Sequence, residues 1–225
     1  MPSKDTCIYL GQALADYGFK DGHPFGPQRH DAFQAELIRQ GLDRQLVIQV
    51  PVAASSDRIE LFHTADYIDK VRDYSVSGHG YLDAGDTPSF VGMFEAASHV
   101  AGSVTDAIDR IMKGEFKRAF SPIAGLHHAA RDSAAGFCVF NDCGVAIEVL
   151  RQTHGIRRIA YVDISLCQVE PRTSPITLVF KREAGARFVL LPASNSSGFP
   201  SPSKRWMCPP FGLNLIFRTI ITTAA

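Results

Sequence analysis

The sequence predicts an α/β fold of three layers, a parallel sheet flanked by helices, and two features of residues 1–164 predict it. Short β-branched or apolar runs alternate with amphipathic helical stretches, the order that lays strands side by side with their connecting helices on the sheet faces. With 225 residues, 45% hydrophobic and 20% charged, the chain also has enough apolar material for an ordinary globular core.

The first strand is expected at Cys7–Leu10. Asp31–Gln40 reads as a helix with Phe33 and Leu37 on one face, stopped by Gly41. A second strand over Leu46–Val50 leads to a helix at Thr64–Tyr74. The strongest periodicity lies in Ser89–Lys113, where Phe90, Phe94, Ala97, Ala101, Val104, Ile108 and Met112 recur at three and four residues and form one apolar stripe. Thr87 is placed to cap this helix, with Pro88 at its first position and Gly114 just beyond its end. Arg118–Ile123 is a third strand, a further helix opens near Asn141 or Asp142 and closes at His154–Gly155, and Arg158–Ile164 is a fourth strand.

From Ser165 the composition changes. Seven of the 13 prolines fall there, with seven basic residues against Glu170 and Glu183, and with neither histidine nor aspartate. The chain therefore divides into residues 1–164 and an unrelated Pro/Ser-rich tail, 165–225, expected to be weakly structured. Within the tail Ile176–Lys181 and Phe188–Leu191 have strand character, Ser194–Pro210 reads as loop, and Gly212–Thr223 is an apolar, β-branched terminus.

The 23 basic residues balance the 23 acidic ones, so no broad field draws nucleic acid or an anionic membrane to the surface. No apolar run reaches the roughly 20 residues that span a bilayer, and the first residues do not form a signal peptide, so a cytoplasmic location is expected. The five cysteines, Cys7, Cys138, Cys143, Cys167 and Cys208, are odd in number and scattered, which favours reduced thiols over a disulfide framework. Cys138 and Cys143 lack the second close pair of a zinc ribbon.

The residues that bear chemistry gather in Gly125-Leu126-His127-His128-Ala129, Ala135-Gly136-Phe137-Cys138 and Phe140-Asn141-Asp142, with Tyr161-Val162-Asp163 as a second anchor. Adjacent histidines at the end of a buried strand bring donors and acceptors that need partners, and in a doubly wound sheet such strand ends face the ligand crevice. The pair can act as a general acid/base couple, with Asp163, at the end of a neighbouring strand, orienting one ring. The competing reading is two hydrogen-bonded loop histidines.

The segment G-L-H-H-A-x(6)-G-F-C-x-x-N-D resembles the signature of the histone deacetylase and acetoin-utilisation superfamily. His23-Pro24 with Pro27 and Arg29, the Asp86-Thr87-Pro88 turn and Tyr161-Val162-Asp163 match its flanking landmarks in the same order. The resemblance covers residues 1–164 and implies the N-terminal part of an arginase/deacetylase-like domain, incomplete on its C-terminal side. It implies zinc-dependent hydrolysis of an acetylated lysine, an acetylated polyamine or a small acylated amine. By the same resemblance His127 and His128 would be the catalytic pair, with His128 the base. Gly136 and Phe137 would line the acyl channel, Arg29 would lie in the cavity behind it, and Asp163 would orient His127 and help hold a structural monovalent cation.

The match breaks at the metal. Where the family continues as D-x-D-x-H-H-G-D-G, this chain reads Asp163-Ile164-Ser165-Leu166-Cys167, so Ser165 and Cys167 replace the first two zinc ligands. No aspartate, histidine or tyrosine follows Asp163, so the tail supplies neither a third ligand nor the late tyrosine that would polarise a substrate carbonyl. Because zinc acts there as Lewis acid and source of the water nucleophile, the chain as written is expected to be inactive and to bind no catalytic zinc. A substitute site from His127, His128, Asp163 and Cys167 is chemically conceivable. The switch inside one strand suggests a frameshifted, mis-spliced or truncated product, which re-sequencing the transcript around Ile164 would test. Two other readings stand beside the enzyme: a non-catalytic acyl-lysine-binding or oligomerisation module, and a chain that barely folds because its sheet has an open edge.

Overall fold

The computed structural model describes residues 5–19, 22–162, 178–182 and 222–223. The described chain forms two units, divided between Ile156 and Arg157.

In the first unit the layering follows from strand β1, Thr6–Tyr9. Side chains alternate across a strand, and here both faces are covered. Cys7 and Tyr9 point into the main core with Leu14, Tyr17, Met93 and Val100, while Ile8 and Leu10 point into a second cluster with Leu37, Phe33 and Phe120. The helix that covers the Ile8 face is α2, Gln28–Arg39, reached through the short helix α1, Gln12–Ala15. It starts three residues before the expected Asp31. Strand β2, Val47–Gln49, pairs with β1 in parallel, Cys7 opposite Val47.

Helix α3, Ser56–Glu60, is capped by Ser55, whose hydroxyl accepts from the Arg58 N–H. Helix α4, Ala65–Ser77, is capped by Thr64 and closed by Gly78 in the left-handed conformation. The long helix α5, Met93–Met112, carries the expected apolar face on Ala97, Ala101 and Ile108 but opens at Gly92, not at Thr87. The reason is local: the Asp83 carboxylate accepts the N–H groups of Gly85, Asp86 and Thr87, and this turn holds Thr87 out of the helix. The small residues of α5 let the loop after β2 lie directly on it. A Cβ on Gly102 would stand 2.0 Å from the Val52 carbonyl oxygen, and the Ala54 N–H donates to the Ser98 carbonyl.

Strand β3, Arg118–Phe120, pairs with the other side of β1, again in parallel, giving the order β2-β1-β3. It ends earlier than the expected Ile123 because Pro122 has no N–H to offer a ladder. Helix α6, Asp142–Gln152, is capped by Asn141 and packs on α5.

The second unit is a separate sheet. Strand β4, Arg158–Val162, lies between β5, Leu178–Arg182, and β6, Thr222–Thr223, and both pairings are antiparallel. A parallel partner for Arg158–Ile164 was expected. Antiparallel partners from the following chain need no helical crossover, so the tail can supply them directly. Phe188–Leu191 and Ser194–Pro210 lie outside the described residues.

Candidate functional site

Because β3 stops at Phe120, the segment Gly125–Ala129 has no strand ladder, and the histidine pair sits on a loop well past the strand end where it was expected. Buried backbone groups still require partners. The first turn of α6 provides them. Asp142 accepts the Gly125 N–H at 2.7 Å and the Leu126 N–H at 3.1 Å, and the Asn141 side-chain amide donates to the carbonyls of His127 and Ala129 at 2.9 and 2.8 Å. On this frame the rings of His127 and His128 lie 4.3 Å apart between centroids, tilted by 39°, with His128 the more exposed.

Gly136 rests against the His128 ring: a Cβ there would approach its Cγ to 3.0 Å, and the backbone is left-handed at φ +55°. Phe137 follows at φ +68°, the one non-glycine residue with positive φ among the described residues. Two bonds hold it, and a third braces them. Its N–H donates to Thr87 Oγ1 at 3.2 Å, and its carbonyl accepts from the buried Tyr17 hydroxyl at 2.7 Å. That hydroxyl in turn accepts the Val139 N–H at 3.0 Å. Burial pushes the Tyr17 phenol well above its ordinary range, so it stays a donor.

The Phe137 ring meets His23 edge to face at 4.5 Å, and His23 lies 4.6 Å from Phe19. Nδ1 of His23 accepts the Phe25 N–H, which leaves the proton on Nε2 to reach the Asp86 carbonyl at 3.4 Å. Arg29 stacks its guanidinium over Phe25 at 4.6 Å, and Phe25 packs edge-on against Tyr17. Arg29 is thus tied to Phe137 through Phe25 and Tyr17.

A third histidine supports the site from below. His63 is 3% exposed; its Nε2 accepts the Asn141 N–H at 2.8 Å, so its Nδ1–H faces the Arg131 carbonyl at 3.1 Å. Burial lowers its pKa to about 4, and the Arg131 charge acts in the same direction, so the ring is neutral at pH 7. Burial raises the carboxyl of Asp142, which is 1% exposed, against the hydrogen bonds it accepts.

The structure thus brings together His127, His128, Gly136 and Phe137, with Arg29 at one remove. Asp163, Ser165 and Cys167 lie outside the described residues, as does any substitute site that uses them. Sequence reasoning missed Tyr17, His63 and the clamping roles of Asn141 and Asp142. The N-D pair beside the histidine motif was a visible signal for the last two; nothing marked Tyr17 or His63.

Among the described residues no group of three or more histidine, cysteine, aspartate or glutamate side chains is placed to hold a metal ion. Both oxygens of Asp142 accept backbone N–H groups and both nitrogens of His63 are engaged, so neither is available as a ligand. No helix among the described residues is long and apolar enough to cross a membrane.

The chain is similar to known proteins in sequence and in fold. Residues 23–166 match the family description "Histone deacetylase domain". The acetoin utilization protein AcuC of Bacillus subtilis (strain 168) is 34% identical over 174 residues, 71% of this chain and 43% of its own length. Histone deacetylase 1 of Homo sapiens is 31% identical over 172 residues, 72% of this chain and 35% of its own. The chain thus spans less than half the length of these relatives. Among solved structures the HDA15 HD domain superposes with a TM-score of 0.61 at 23% identity, covering 68% of this chain and 44% of that one, a likeness of fold.

Proposed function

This chain belongs to the histone deacetylase family, and from that premise we propose that residues 1–164 carry the proton-handling pair and acyl channel of a zinc-dependent amide hydrolase without the metal half of the site. The substrates in this reading are acetylated lysine, acetylated polyamine or another small acylated amine.

The observation that carries it is the arrangement of four side chains and backbones in the family motif. His127 and His128 stack at 4.3 Å, Gly136 leaves room beside the His128 ring, and Phe137 stands edge-on to His23. An imidazole pair can hold a water molecule and pass its proton, since histidine changes charge near neutral pH. The apolar faces of Phe137 and Phe19 suit the methylene chain of an acylated amine. In the family, zinc supplies the Lewis acid and the nucleophile. Here Ser165 and Cys167 stand where two ligands belong, so these residues bind and orient without completing hydrolysis. Asp163 remains the candidate to orient His127 and to contribute to a monovalent cation site, and a cytoplasmic setting is part of the same proposal.

Zinc content by elemental analysis, combined with turnover of a fluorogenic acetyl-lysine peptide, tests this. The expected result is sub-stoichiometric zinc and no chelator-sensitive turnover. One zinc per chain with turnover abolished by chelator would overturn the proposal.

A further inference from the structure

We propose that Asn141 and Asp142 are positioning residues: side by side at the start of α6, they form a hydrogen-bonding template that sets the backbone of Gly125–Ala129 and, through it, the stacking of the His127 and His128 rings. The inference rests on the reading that this pair is the working part of the site.

Gly125–Ala129 has no strand ladder. A segment outside any sheet must find other partners for its buried amides, and here they are supplied in matched order. The two N–H groups of Gly125 and Leu126 meet a carboxylate, which only accepts. The carbonyls of His127 and Ala129 meet the Asn141 Nδ2, which only donates. Exchanging the two residue types would set lone pairs against carbonyls and N–H against N–H. Asn141 carries a second duty, since its Oδ1 accepts the Gly144 N–H at 2.7 Å as the helix cap. A cap alone needs one acceptor, and serine or aspartate would serve. The two donated bonds exceed that requirement, and both end on the segment that bears the histidines.

The template is also rigid. Asn141 and Asp142 are 8% and 1% exposed, α6 packs on α5, and the Asn141 backbone N–H is fixed by the neutral His63 ring. Side chains locked on a packed helix hold a site more closely than a free loop can.

The test separates the cap from the clamp. Asn141→Asp keeps an acceptor for Gly144 but removes both donated bonds, and Asn141→Ser is a smaller change with the same logic. The full chain is labelled on its histidine rings, and ring signals are followed by NMR through a pH titration, with the exchange protection of the Gly144 amide measured alongside. Expected in both variants are loss of the mutual ring-current displacement of His127 and His128 and altered titration of both, with His63 and the Gly144 amide unchanged. Unchanged His127 and His128 signals in a folded variant would overturn the proposal. So would changes spread equally to His63, or loss of cooperative unfolding in both variants, since either would mean that Asn141 acts only as a structural cap. An acetyl-lysine peptide titrated into the wild-type chain gives the separate control: if no ring signal moves, the acyl-lysine reading fails while the comparison of variants still decides the template.

Discussion

His63 makes the fold sensitive to acid by an amount that can be worked out. Its ring is 3% exposed among Phe62, Tyr67 and Phe140, and burial lowers its pKa from 6.5 to about 4. A histidine whose pKa is depressed by folding is protonated more readily in the unfolded chain. Stability is therefore fully present above pH 6.5 and is lost as the pH falls toward 4. At ~1.4 kcal/mol per pH unit the whole window is worth about 3.4 kcal/mol, of which about 2 kcal/mol is gone at pH 5. His63→Gln is the matching perturbation, because a neutral amide can accept from Asn141 and donate to Arg131 but cannot titrate. Urea unfolding of both proteins at pH 7.5 and pH 5 is the assay. The wild-type chain should lose about 2 kcal/mol more than the variant between the two pH values. Equal pH dependence of the two proteins would refute the reasoning.

Tyr17→Phe removes the hydroxyl that serves both the Phe137 carbonyl and the Val139 N–H, leaving two buried groups short of a partner, and should cost about 1–3 kcal/mol in urea unfolding. Gly102→Ala should cost at the upper end of roughly 1–3 kcal/mol, because the Cβ would meet the Val52 carbonyl and the Ala54 amide in backbone that cannot swing aside. Thermal melts of that variant against Gly114→Ala, where a Cβ meets nothing within 4 Å, separate crowding from the cost of a left-handed glycine.

The strand and helix segments were legible because burial on one face writes a period into the sequence. The Phe94–Met112 stripe is the clearest case, and the alternation Cys7, Ile8, Tyr9, Leu10 divides between the two cores as the pattern requires. Element ends were less legible wherever a side chain competed with the backbone. Thr87 looked like a helix cap and is instead engaged by Asp83 and Phe137. Strands Arg158–Val162 and Leu178–Arg182 could be located by composition, but their antiparallel pairing could not, since pairing depends on residues remote in sequence.

The sequence by itself determined the family, through His127, His128, Gly136, Phe137, Asn141 and Asp142 in their order. Each is a residue identity at a fixed spacing, which a motif records directly. Only the tertiary structure decided what holds these residues in place. Tyr17 reaches Phe137 across 120 positions and His63 reaches Asn141 across 78, and such contacts leave no local period to read. The pairing of Asn141 and Asp142 with Gly125–Ala129 belongs to the same class: two adjacent letters of a motif whose purpose appears once the chain has folded back and the buried amides are counted.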